Sequence, residues 1–309
     1  MTGGNGGPML SRRAQREENA ERQLLARKLR TVQLASVRLV SSLLAGGYRS
    51  VFRGQGIELD EVREYSPGDD VRLIDWNVTS RMGSPYTKTF REERELSLFL
   101  VADVSASMYA GSGESGKDET ALLAFATLAL SAVANNDRVG AVFYSDRIEK
   151  WVAPGKGRKH IHRLLNDYIG FAAAGRGSDL ALALRTIGQS LKRRGICVIL
   201  SDFKTEGYWH EMALLAHRHD VIAVRIMDPA DQDFPAVGLV ELEDPETGET
   251  LSALGSRGFR LRYEQFAVER RAEWSSRCRR CGAEILEIST SDDPGLRLDE
   301  FFKRRRKRR

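Results

Sequence analysis

The chain has 309 residues, 41% of them apolar and 29% charged, with a formal net charge of +5. That length holds one large domain or one domain with an appendage, and the composition is that of an ordinary globular protein rather than a disordered or fibrous one. Much of the basic excess lies in 303–309, so it says little about the folded body, and three cysteines fit a reducing compartment.

In chain order, 1–10 is glycine-rich and expected to be disordered. Residues 11–48 read as one or two helices, with Leu24, Leu25, Leu29, Val32, Leu34, Val37, Val40, Leu43 and Leu44 on one apolar face before Gly46-Gly47. The longest apolar stretch there, 32–45, carries Arg38 and serines and is too short to span a bilayer. With no basic-then-apolar start either, the expected location is cytoplasmic.

Residues 49–95 are dense in charge and turn formers. The stretch 57–65 alternates like an exposed strand, and Pro67-Gly68 sets a type II turn. The run Asp69-Asp70-Val71-Arg72-Leu73-Ile74-Asp75-Trp76 is too polar for a core and too patterned for a linker. It reads as a structured charged collar or recognition surface, against the plainer alternative of a solvated loop with weak ion pairs.

The short apolar run 96–102 suits a strand buried on both faces. It stops at Asp103, with hydroxyls following at Ser105 and Ser107. A glycine-rich loop, a helix over 119–134, strands over 139–144 and 148–152 and a helix over 158–168 come next. The loop 175–179 feeds a helix over 180–193, with Ser178 or Asp179 as cap. A strand over 196–200 ends in Ser201-Asp202, followed by a helix over 209–218 and a strand over 221–227. A hairpin (239–242 and 250–254), a helix (263–280), a strand (284–288), a helix (294–302) and the basic tail 303–309 complete the chain.

Strands alternating with helices imply an α/β domain over 96–302, a doubly wound, mostly parallel sheet with helices on both faces. In the common strand order, the strands ending at Asp103 and Asp202 are neighbours where the order reverses, and ligands bind beyond their carboxyl ends. Two carboxylates then meet in one crevice, which the loop at Ser178 can overhang. Hard oxygen donors of this kind suit Mg²⁺ or Mn²⁺. The alternative is that Asp103 caps the following helix while the serines satisfy loop amides.

The set Asp103, Ser105, Ser107, Ser178 and Asp202 resembles the metal-ion-dependent adhesion site of von Willebrand factor type A domains, with Ser178 where that family usually has Thr. The resemblance implies direct ligation by the hydroxyls, one or both Asp acting through water, and an open position for a partner's Glu or Asp. Two Asp charges balance Mg²⁺ at most, leaving it able to attract an anion. The collar residues Arg53, Gly54, Glu58, Arg63, Tyr65, Pro67, Gly68, Asp69, Asp70, Arg72, Asp75 and Trp76 resemble the signature of the bacterial domain-of-unknown-function 58 family, over about 29–203. In that family the collar precedes a type A fold, and its members are associated with MoxR-type AAA+ ATPases. The resemblance therefore implies a non-enzymatic, metal-dependent protein-binding module, an adaptor or cofactor for such an ATPase.

Competing motifs point elsewhere. Gly111-Ser-Gly-Glu-Ser-Gly116-Lys117 has the spacing of a phosphate-binding loop, which would make the chain a metal-dependent hydrolase of nucleotides or phosphate esters. Asp118 stands where a Ser or Thr should hold Mg²⁺, so Lys117 is expected to be solvated instead. The tail could bind nucleic acid or anionic lipid, against a solvated, disordered end. Cys278-Arg-Arg-Cys281 is only half a zinc site, and Cys197 and the five histidines add no cluster.

Overall fold

The structure, a computed structural model, describes residues 57–92, 97–109, 116–171, 175–234, 238–243 and 245–308. The glycine-rich start, the N-terminal helical segment, Arg53, Gly54 and most of the phosphate-loop motif lie outside these residues. The chain divides into two compact units, one of Phe52–Leu96 and one carrying Ser97–Arg309.

In the smaller unit, β1 (Ile57–Glu64) pairs antiparallel with β2 (Tyr86–Glu92). Gly68 adopts φ 111°, and the Asp69 amide donates to the Ser66 carbonyl at 3.0 Å, the closure required of the Pro67-Gly68 turn. The Arg63 guanidinium reaches Asp69 at 2.7 Å. Asp70 caps a single 3₁₀ turn by accepting the Arg72 amide. Asp75 caps the short helix α1 (Trp76–Met82), accepting the Asn77 and Val78 amides, and pairs with Lys88 at 3.1 Å. The Lys88 hydrogen bond, with the two amides, holds the Asp75 carboxyl below the usual range. Asp69, Asp70 and Asp75 are therefore local turn and cap makers, while Trp76 stands 69% exposed, and Val71 and Met82 are exposed too.

The larger unit runs β3 (Ser97–Asp103), α2 (Lys117–Ala134), β4 (Arg138–Tyr144), β5 (Ile148–Gly155), α3 (Gly157–Ile169), α4 (Leu180–Ser190), β6 (Ile196–Ser201), α5 (Trp209–Arg218), β7 (Asp220–Met227), the hairpin β8 (Leu239–Glu243) and β9 (Thr250–Leu254), α6 (Arg257–Arg280), β10 (Glu284–Ser289) and α7 (Pro294–Arg308). Six strands form one sheet in the order β10-β7-β6-β3-β4-β5, all parallel except the edge strand β5. Pro154 lies in β5, where an edge tolerates the missing donor. β8 and β9 pair only with each other.

Helices cover both faces, which is why β3 and β6 are apolar without alternation. Phe99, Val101, Cys197, Ile199, Val221 and Ala223 face Leu180, Leu184 and Ile187 of α4, Met212 and Leu215 of α5 and Trp274 of α6. On the opposite face α2 packs with α3 and α7. Alanines let α2 sit close, and its Phe125 meets Tyr168 edge-on at 4.9 Å. The fold is thus the α/β, doubly wound, mostly parallel arrangement, with β3 and β6 adjacent at the reversal.

The two largest boundary differences, six residues each, have local reasons. Ser256 accepts the Phe259 amide, so α6 starts at Arg257 rather than 263. α7 does not stop at 302 but continues through Arg308, because Arg305 is buried and pairs with Asp220 and Glu284. The stretch set apart as a solvated tail is therefore an integral helical turn up to Arg308, with Lys303 held by Asp299 at 2.6 Å.

Candidate functional site

Parallel pairing delivers the site. Register places Asp103 beside Tyr144 on β4, and the pairing of Ala102 with Leu200 brings Ser201 alongside. Asp103 Oδ2 accepts three hydroxyls, from Ser201 at 2.7 Å, Tyr144 at 3.0 Å and Ser178 at 3.1 Å. Its Oδ1 accepts the Ser105 amide at 3.0 Å, and the Ser105 and Ser107 hydroxyl oxygens lie 3.1 Å apart. All but Ser178 are buried. Burial, followed by the charge of Asp202, pushes the Asp103 carboxyl up despite these donors. Burial and then Asp103 raise Tyr144 well above an ordinary phenol, keeping it a donor.

Ser178 reaches this point because its loop is tied on several sides. The Gly175 amide and the Ser145 hydroxyl both donate to Glu149, at 2.9 and 2.6 Å. A Cβ at Gly175 would run into Asp146 and Ser145. The Asp179 amide donates to the Ser145 carbonyl, the Ala106 amide to the Arg176 carbonyl, and Thr205 Oγ1 to the Ser178 carbonyl at 2.8 Å. Of the two candidate caps of α4 it is Asp179 that accepts the Leu182 amide, which leaves Ser178 free for Asp103. Asp103 does accept one loop amide, but hydroxyls from three other segments take its second oxygen, so a local cap does not describe it.

Asp202 has a different environment. Its Oδ2 is 3.0 Å from Lys117 Nζ, and its Oδ1 accepts the Lys204 amide at 3.2 Å. Lys117 also lies 3.6 Å from Asp231, which pairs with Lys204 at 2.8 Å. Lys117 is thus not solvated. It is the first residue of α2, with only 2% of its side chain exposed. A lysine at the start of a helix that packs on the sheet is carried inward, and the carboxylates give its ammonium a partner. Phe203, directly after Asp202, adopts the left-handed φ of 55°, held by its amide on Ser201 Oγ at 3.0 Å and by packing on Trp274 and Tyr208.

Sequence reasoning missed Tyr144, Ser201, Lys117, Asp231 and Lys204 as members of this network. The signals were positional: Tyr144 and Ser201 end the two strands flanking β3. Among the described residues no three His, Cys, Asp or Glu side chains converge, so a metal here would depend on serine hydroxyls. The donor set fits a small hard cation at its Asp103 end. The 3.1 Å between Ser105 and Ser107 oxygens is near the ~2.9 Å edge of an octahedron with ~2.05 Å bonds. At the other end Asp202 is already committed to an ammonium. The cysteines join no site: burial raises the thiols, Cys278 to about 12, and Cys281 donates to the Trp209 carbonyl.

The fold and site define a mixed α/β protein with a carboxylate–hydroxyl cluster at the switch point of a doubly wound sheet. The chain belongs to the family described as protein of unknown function DUF58, whose model matches residues 61–273. Uncharacterized proteins of Mycobacterium bovis and Mycobacterium tuberculosis are 33% identical over 286 residues, covering 92% of this chain and 90% of theirs. Among solved structures, the conserved hypothetical protein BatB from Bacteroides thetaiotaomicron overlaps 69% of this chain and 99% of its own, at 14% identity and a TM-score of 0.44. A von Willebrand factor type A structure from Catenulispora acidiphila overlaps 72% of this chain and 44% of its own, at 12% identity and a TM-score of 0.39. These two overlaps are too loose to say anything about the site.

Proposed function

We propose that the chain is a non-enzymatic protein-binding module that holds a divalent metal, Mg²⁺ or Mn²⁺, and through it a carboxylate of a partner. The observation that carries this is the convergence, at the carboxyl end of β3, of Asp103 with Ser105 and Ser107 of the following loop and Ser178 of the loop before α4. The three serine hydroxyls would hold the metal, with Asp103 and Asp202 supplying charge, directly or through water. When bound, such an ion offers an electrophilic position to an anionic oxygen. The chain's own part is to keep the hydroxyls in place: Asp103 anchors Ser178, and the 145–149 turn fixes the loop around it. The likeness of the Asp-x-Ser-x-Ser pattern to metal-ion-dependent adhesion sites supports this function. The collar's likeness to proteins associated with MoxR-type AAA+ ATPases names the expected partner class. The hydrolase alternative loses its phosphate lysine, since Lys117 is committed to Asp202 and Asp231.

Calorimetric titration of Mg²⁺ into wild type and Asp103→Ala tests the site, with binding expected only in the former. Equal titrations would rule it out. In a pull-down, chelator should release the partner, and so should Asp103→Ala, whereas modest salt should act weakly, because a contact at bonding distance is poorly screened. Binding that survives chelation but vanishes when the exposed Arg304, Arg306, Lys307 and Arg308 are neutralised, with Arg305 kept, would instead assign it to the basic C-terminus.

A further inference from the structure

We propose that Lys117 is a resident cation of this site, whose ammonium holds Asp202 and keeps the affinity for a divalent metal low. This deepens the function proposed above and rests on it. The ammonium lies 3.0 Å from Asp202 and 3.6 Å from Asp231, with Lys204 closing the group 2.8 Å from Asp231. Two ammonium groups thus balance two carboxylates, and Asp103 is left as the one carboxylate of the candidate set held by a backbone amide and neutral hydroxyls. The Lys117 side chain is almost wholly buried, so water and salt screen it little. It also starts an 18-residue helix, whose amino end adds partial positive charge at the same place. A dication entering the hydroxyl cluster therefore meets a fixed positive charge and only one carboxylate not already paired with an ammonium. A site weakened in this way holds its metal best when an anionic oxygen joins it, and by linkage the metal then strengthens that oxygen's binding equally.

The sequence pattern that makes Lys117 conspicuous, a glycine-rich run ending in lysine, suggests a phosphate contact. Its position assigns the charge to the interior instead. Removing that charge should tighten metal binding. It should also deprive Asp202 of its nearest ammonium while its charge still acts on Asp103, which destabilises the metal-free protein.

The test is calorimetric titration of the full chain with MgCl₂ and MnCl₂, using wild type, Lys117→Met, Lys117→Gln, Asp103→Ala and the Lys117→Met/Asp103→Ala pair. Lys117→Met and Lys117→Gln are expected to bind at least tenfold more tightly than wild type, a difference of 1.4 kcal/mol or more. Asp103→Ala should abolish binding in either background. As a second readout, Mg²⁺ should raise the thermal midpoint of Lys117→Met more than that of wild type. Wild-type affinity in both lysine variants, with Asp103→Ala still inactive, would overturn the role of Lys117 and leave the metal site standing. Tight binding that persists in the double variant would overturn it too, by placing the metal elsewhere. Absence of binding in every variant would overturn the metal site and the lysine's role together. If Lys117→Met does not fold, Lys117→Gln, which keeps a neutral donor toward Asp202, carries the comparison.

Discussion

Ser201 has two tasks at the site. It donates to Asp103 at 2.7 Å and accepts the Phe203 amide at 3.0 Å, while fully buried at the end of β6. Removing it leaves a raised, desolvated carboxylate short of a donor and frees the residue that sits at a positive φ. Ser201→Ala should therefore cost about 2–3 kcal/mol of unfolding free energy. Ser178→Ala removes a hydroxyl from the same oxygen, but from a half-buried position that water can refill, and should cost about 1 kcal/mol. Urea unfolding of both variants checks the ranking. Equal costs would mean that Asp103 does not depend on Ser201 more than on its other donors.

At the scale of elements, the joint between α5 and β7 depends on one imidazole. His219 follows the last turn of α5, where its amide donates to the Leu215 carbonyl at 2.8 Å, and its Nδ1 accepts the Gly195 amide at 3.3 Å just before β6. Burial first, with Arg218 and Arg194 adding to it, lowers its affinity for a proton. The folded pKa is thus below the unfolded value near 6.5. As pH falls below that value the unfolded chain takes up the proton and the folded one does not. The stability His219 contributes is therefore present above pH ~6.5 and is lost as pH falls through the folded pKa. His219→Asn, which keeps an acceptor for Gly195, should show a flatter loss of stability between pH 7 and pH 5 than wild type. Parallel curves by denaturant unfolding would remove His219 as the cause.

For the molecule as a whole, α7 decides what the basic C-terminus is for. Arg305 is 3% exposed, pairs with Asp220 at the start of β7 and with Glu284 at the start of β10, and so joins α7 to two strands. Deleting 303–309 should lower stability by about 2 kcal/mol, discounted for the partly exposed partners, and depress the thermal midpoint even where no polyanion is present. An unchanged midpoint would return the segment to the class of solvated tails. Among the described residues no helix is long and apolar enough to cross a membrane. The unit carrying 57–92 is a hairpin with its own turn, caps and ion pairs, and Val71, Leu73, Trp76 and Met82 are exposed apolar side chains on it.

What could be read from sequence was whatever local chemistry dictates. The unbroken apolar runs ending at Asp103 and Asp202 declare strands covered on both faces, and their alternation with helices leaves few topologies, of which the common one puts β3 beside β6. Pro67-Gly68 and the caps at Asp75 and Asp179 are short-range devices, written in residues a few positions apart. Asp103, Ser105, Ser107 and Ser178 were legible for the same reason, each lying at a strand end or in the loop before a helix. Partnerships between residues far apart in the chain were decided only by the tertiary structure. Nothing near Lys117 in sequence foretells Asp202, 85 positions away, and nothing in a run of arginines tells which of them finds Asp220. A charged side chain reads as solvated until the fold shows a counter-charge that offsets its desolvation, and such a counter-charge is brought close only by the packing of α2 and α7 against the sheet.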